Sequence, residues 1–168
     1  MKASARCIFF MLVSLFMLSC TIKYSAVGVD IPVEAKTIAI KPFVNNASLV
    51  NLKLSNTLTT QLIDKFTNST RLSVVNSKGD LSIEGEITNY AISSVAVGAE
   101  MATMNRLTIG IRISYINKYD EEKSCDKTFS RYVDFDSKLN ISQVEDALVS
   151  ELCDALVDDI FSATVGNW

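Results

Sequence analysis

Cys20 is the residue whose neighbours assign it a definite chemistry. It ends the run Cys7-Ile8-Phe9-Phe10-Met11-Leu12-Val13-Ser14-Leu15-Phe16-Met17-Leu18, and the small residue Ser19 stands directly before it. Lys2 and Arg6 are the only charges ahead of that run. A short basic start followed by about a dozen apolar residues is the layout of an export signal, and is too short for a comfortable membrane span. A cysteine placed there can be alkylated by diacylglycerol and then become the new N-terminus after cleavage. Residues 1–19 are therefore expected to be a signal peptide, and Cys20 the lipidation site. The competing reading is an ordinary secretory signal with a coincidental cysteine.

Other chemistry is scarce. The chain contains no histidine, which removes Ser-His-Asp and Cys-His nucleophilic sites, imidazole metal ligands and the usual base near neutral pH. Glu84/Glu86 and Asp158/Asp159 sit where a solvated strand face and helix face would put them. No catalytic site, metal site or cofactor is expected, and the chain reads as not an enzyme. Cys125 and Cys153 are the thiols left once Cys7 departs and Cys20 is acylated. They can form a disulfide only if the fold brings their Cα atoms within about 7 Å; otherwise they are small apolar side chains.

The chain has 16 basic and 19 acidic residues. Losing Lys2 and Arg6 with the signal makes the remainder more acidic, which argues against a nucleic-acid partner. Residues 20–30 read as the lipidated N-terminus and tether, and 31–168 as one domain, large enough for a real core.

The elements follow from periodicity. A strand is expected over Thr37–Phe43, with Pro42 marking an edge or an end, and a turn over Asn45–Ser48. Leu54, Leu58, Leu62 and Phe66 recur every four residues, the buried row of a helix ending near Asn68-Ser69. A strand at Arg71–Val75 and a turn at Ser77–Asp80 come next. Leu81, Ile83, Ile87 and Ala91 then alternate with Ser82, Glu84, Glu86, Thr88 and Tyr90. Leu107, Ile109, Ile111, Ile113 and Tyr115 alternate with Arg106, Thr108, Gly110, Arg112 and Ser114. Such period-two patterns describe strands covered on one face and wet on the other.

Between them, residues 97–105 lack alternation and suggest a hairpin tip whose Met101 and Met104 either bind or pack. A hairpin loop at 117–121, a strand over about 123–134 and a helix over about 142–163 complete the chain. Ser142 and Glu145 have capping-box spacing, and Val144, Leu148, Leu152, Leu156 and Ile160 form the buried row. The order β-α-β-β-β-β-α is expected to fold as an α+β two-layer sandwich, a mostly antiparallel sheet with two helices on one face.

An ordered set of segments carries a resemblance. It comprises Ile31-Pro32, Ala35-Lys36-Thr37-Ile38, Lys65-Phe66 through Thr70-Arg71-Leu72, Gly79-Asp80-Leu81 and Glu84-Gly85-Glu86-Ile87-Thr88. It continues with Asn105-Arg106-Leu107-Thr108-Ile109, Phe129-Ser130-Arg131-Tyr132, Asp134-Phe135, Val144-Glu145-Asp146, Asp159-Ile160-Phe161 and Asn167-Trp168. In this order they resemble the LptE family of lipopolysaccharide-assembly outer-membrane lipoproteins, in its Bacteroidetes form.

The resemblance implies a lipoprotein that plugs and helps assemble the LptD β-barrel, with lipopolysaccharide itself as a further contact. Only Cys20 is carried over as a site. Arg106 and Arg131 are speculative phosphate partners, since arginine suits bidentate phosphate contacts; the plainer reading is a cross-strand ion pair. The alternatives are a membrane-anchored periplasmic binding module and an accessory lipoprotein of another envelope assembly. Thr21 after Cys20, with no acidic cluster behind it, points to the periplasmic face of the outer membrane. Replacing Cys20 by Ala should leave the precursor unprocessed or release the protein from the membrane; unchanged membrane fractionation would overturn the lipidation assignment.

Overall fold

The computed structural model describes residues 29–97 and 102–166. The signal peptide, Cys20, most of the tether, Met101 and Asn167-Trp168 lie outside the described residues.

The order of elements is β1 (Thr37–Ile40), β2 (Val44–Asn45), α1 (Leu54–Ser69), β3 (Ser73–Val75), β4 (Leu81–Val97), β5 (Ala102–Asn117), β6 (Cys125–Asp136) and α2 (Ile141–Thr164). A single 3₁₀ turn, Glu121–Lys123, precedes β6. The strands form one sheet in the order β3-β1-β4-β5-β6, with β2 paired beside β4. β4, β5 and β6 are antiparallel neighbours, but β1 runs parallel to both β3 and β4, and β2 runs parallel to β4. The α+β class holds, and the sheet is mixed rather than purely antiparallel. The parallel pairs arise because α1 connects β1 to β3 as a crossover, which brings the chain back in its starting direction.

The core lies between the sheet and the two helices. Ile38, Leu81, Ile83, Ile87, Leu107, Ile109 and Ile111 face inward with no exposed surface. Against them pack Leu54, Leu58, Leu62 and Phe66 of α1 and Leu152, Leu156 and Ile160 of α2. Burying one such side chain contributes about 1.5–3 kcal/mol, so the two apolar rows suffice to hold both helices on this face. The helices run in the same direction: Lys53 pairs with Asp146, Gln61 with Ser150, and Lys65 with Asp158. Phe66 and Phe161 meet at 5.2 Å between ring centroids.

Several local expectations shift. Pro42 has no N–H to give a ladder, and the first strand stops at Ile40; Asn45 belongs to β2 rather than to a turn. The third strand is shortened to Ser73–Val75, and the last occupies Cys125–Asp136. Asn140, not Ser142, caps α2: its side chain accepts from Ser142 N at 3.1 Å. The region 97–105 is mostly strand, since Val97 pairs with Ala102 and the ladder continues through Asn105. Only residues 98–101 separate the two strands.

Alternation along β4 breaks between Ile87 and Asn89. There Thr88 and Asn89 together oppose Gly110, a bulge that advances the chain by one residue. Beyond it the faces exchange, so Tyr90 is buried at 4% exposure and Ala91 turns to the open side. Gly110 makes room for the bulge, since a Cβ there would lie 3.1 Å from Asn89 Cβ.

At the lower end of the sheet Asp80 joins β1 to β4. Its Oδ2 accepts from Lys36 N (2.9 Å), Thr37 N (3.0 Å) and Thr37 Oγ1 (2.9 Å), and Asp80 N donates back to Thr37 Oγ1 (3.0 Å). The bond from the Lys36 N–H, followed by that from the Thr37 hydroxyl, holds the carboxyl below its ordinary pKa of 3.8. A carboxylate with a lowered folded-state pKa stabilises fully above its unfolded value and loses that contribution as pH falls through the folded one. Stability measured by chemical denaturation should therefore fall as pH drops below about 5. Asp80→Asn should lower the neutral-pH plateau and flatten that acid slope, whereas an unchanged slope would rule out Asp80 as its source.

Candidate functional site

The two speculative arginines lie on opposite faces of the sheet. Arg106 stands on the open face opposite Asp134, and Arg131 stands on the helix-facing side opposite Ile109. Arg106 makes a two-pronged bond to Asp134, Nε to Oδ1 at 2.7 Å and Nη2 to Oδ2 at 2.9 Å. Its guanidinium also covers the Tyr132 ring, 3.8 Å from the centroid, as a cation–π pair. The bond to Asp134 raises the arginine pKa and lowers that of the aspartate. Arg131 reaches back to α2 and grips Asp159 in the same manner, at 2.7 and 2.5 Å. The structure thus does not unite the two arginines, and each already holds a carboxylate.

Two further ion pairs lie on the open face, where Asp126 is an exposed carboxylate outside them. Lys41 meets Glu84 at 2.5 Å, and Arg112 meets Glu86 at 3.0 Å. Thr108, Ser114, Thr128 and Ser130 lie between these pairs in the β5–β6 register. Exposed ion pairs of this kind contribute little stability individually; what they create is a polar surface with few uncompensated charges.

A second polar cluster lies at the other end of the domain from Asp80. Tyr90 donates its hydroxyl to Glu145 Oε1 at 2.5 Å, and Asn51 Nδ2 donates to the same oxygen at 2.8 Å. Burial first, and then the Glu145 carboxylate, push the Tyr90 phenol above its ordinary pKa. It therefore remains a protonated donor. The cluster ties together β4, the loop before α1 and the N-terminal part of α2. Sequence reading assigned Tyr90 to the wet face and Glu145 to a capping box, and missed Asn51. The available signal was the three-residue step from Ile87 to Tyr90, where strict alternation asks for two.

Cys125 and Cys153 are not joined to each other. Cys125 is half-buried on β6, Cys153 is buried in α2, and both are free thiols. Burial pushes the Cys153 thiol up to about 12, so it packs as an apolar group. Among the described residues no three acids or cysteines gather as a metal site, and no helix is long and apolar enough to cross a membrane.

A one-sided mixed sheet under two co-directional helices defines an α+β two-layer domain. A minor lipoprotein from Acinetobacter baumannii has a similar structure, with a TM-score of 0.50 at 14% identity, covering 76% of this chain and 90% of that one. A protein from Xanthomonas campestris is similar at a TM-score of 0.51 and 10% identity, covering 79% and 87%. A protein from Chlamydia trachomatis is similar at 0.50 and 8%, covering 77% and 98%. At these identities the likeness is one of fold alone. No curated protein matches the sequence. The chain belongs to the LptE family, described as lipopolysaccharide-assembly, whose model matches residues 35–164.

Tyr90→Phe should destabilise the domain by about 1.5–3 kcal/mol, the usual loss for a hydrogen bond to a charged group. Urea denaturation measures it; a change below about 0.5 kcal/mol would show that the cluster does not hold the loop to α2.

Proposed function

We propose that this protein is a non-catalytic outer-membrane lipoprotein, anchored through Cys20 on the periplasmic face. In this reading it plugs and helps assemble an LptD-type β-barrel that delivers lipopolysaccharide to the outer leaflet. Membership of the LptE family is the observation that carries the reading. The surface chemistry supports it. A large barrel has a polar, water-filled interior, and a sheet face carrying three ion pairs and several hydroxyls can rest against such a wall with most of its charges compensated.

Direct recognition of lipopolysaccharide phosphate by Arg106 or Arg131 belongs to the same proposal in a weaker form. A phosphate there competes with Asp134 or Asp159 for the guanidinium fork. A membrane-anchored binding module for another ligand is the second reading. No specific feature of the described cavities favours it, since those between the helices and beside Lys123 are lined mainly by polar side chains.

Mild detergent extraction of the tagged, lipidated chain decides between them. A large outer-membrane β-barrel should co-purify in equal amount, and depletion of the chain should retain lipopolysaccharide inside the cell. Recovery of the chain alone, with normal lipopolysaccharide at the surface, would overturn the assembly reading.

A further inference from the structure

The loop between β2 and α1 is built inside out. Asn51 turns its side chain inward: Oδ1 accepts from Lys53 N at 2.9 Å and Leu54 N at 3.0 Å, while Nδ2 donates to Glu145. Lys53 is held by Asp146 at 2.7 Å. With its polar groups tied to α1 and α2, the loop turns its apolar side chains outward. Leu49 is 52% exposed, Val50 54% and Leu52 91%. Ile92, two residues beyond Tyr90 on β4, and Leu139, just before the cap of α2, are exposed at the same end. Isolated surface leucines need no explanation, but a cluster of them marks an interaction site. A pinned loop also has little freedom left to lose on docking, so more of its apolar contact becomes affinity.

We infer that this end of the domain, centred on Leu49, Val50 and Leu52, docks into an apolar recess of a protein partner, the barrel of the proposed function. The inference rests on that reading and adds which surface makes the contact. The position of the anchor supports a protein over a bilayer. The described chain begins at Val29, which bridges to Gly166, and Asp30 N donates to Val165 O at 2.7 Å. This is the far end of α2 from the apolar loop, a separation of about 36 Å for a helix of 24 residues.

Residues 20–28 can span at most about 30 Å. A lipid on Cys20 therefore keeps Val29 within about 30 Å of its bilayer and does not require the apolar loop, about 36 Å from Val29, to face that surface. Charge points the same way. In the stretches 44–53, 90–95 and 136–146 around the loop, Lys53 and Lys138 are the only cations, and Lys53 is already paired with Asp146. Amphipathic segments drawn to anionic lipid carry clustered cations instead. The loop is also a projection rather than a groove, so it fills a recess and does not enclose an acyl chain.

Photocrosslinking in the full lipidated chain, in its native envelope, tests this. A benzophenone side chain is placed at position 52, with controls at exposed Ser130 on the sheet face and exposed Asp154 on the outer helix face. The expected result is a barrel adduct from position 52. The double substitution Leu49→Glu, Leu52→Glu should reduce barrel co-purification by about tenfold or more while leaving the melting temperature unchanged. Barrel adducts from 130 or 154 but not from 52 would overturn the inference and leave the assembly reading standing. So would adducts to lipid alone from position 52, with sedimentation on phosphatidylethanolamine–phosphatidylglycerol vesicles that the double substitution abolishes. No barrel adduct from any of the three positions removes the assembly reading as well.

Discussion

Every other element takes its place from the antiparallel ladder between β4 and β5, which runs from Leu81 opposite Asn117 to Val97 opposite Ala102. Pairing two strands with period-two patterns puts their apolar residues on one common face, and that face must be kept from water. The amphipathic rows of α1 and α2 supply the cover, so the sheet is buried on one side and wet on the other. The ladder is also longer than its cover. Strands of 16 and 17 residues extend about 55 Å, against about 36 Å for α2. The upper part of the hairpin therefore stands clear of the helices, and Ile92 and Ser94 are exposed there although they belong to the helix-facing side.

The ends of this sandwich are closed by polar clamps of different character. At one end the Asp80 carboxylate gathers the start of β1, with its bonds drawn largely from backbone N–H groups. At the other, Glu145 gathers two side chains, Tyr90 and Asn51, from elements distant in sequence. The first clamp fixes register. The second fixes the posture of a loop, and through it the outward aim of Leu49, Val50 and Leu52. The wide sheet face, with its arginines and lysines in carboxylate pairs, suits a wet neighbour, whereas the apolar loop suits a dry one. The proposed assembly with a water-filled barrel would use both kinds of surface.

Much of this was legible in the sequence, because it depends on local periodicity. The row Leu54-Leu58-Leu62-Phe66 and the alternation from Leu107 to Tyr115 are each one residue's choice repeated at the spacing of one element. They determined the helices, the central hairpin, the core-facing residues and the α+β class. The family resemblance was likewise readable as an ordered set of segments. The proposed export and lipidation at Cys20 rest on the sequence alone, on charge, apolar length and one small residue.

Only the tertiary structure decided what depends on residues far apart in the chain. Strand direction in β1 and β3 came from the return path of α1, which periodicity does not encode. The exchange of faces at Tyr90 came from two residues facing one, Thr88 and Asn89 against Gly110, an event defined by the partner strand. The carboxylates beside Arg106 and Arg131 lie 28 residues away in each case, so their neutralisation could not be read from either arginine's neighbours. The outward aim of the loop after β2 depends on Glu145, 94 residues from Asn51. Periodicity reports which face a residue prefers; long-range pairing settles which residues that face then meets.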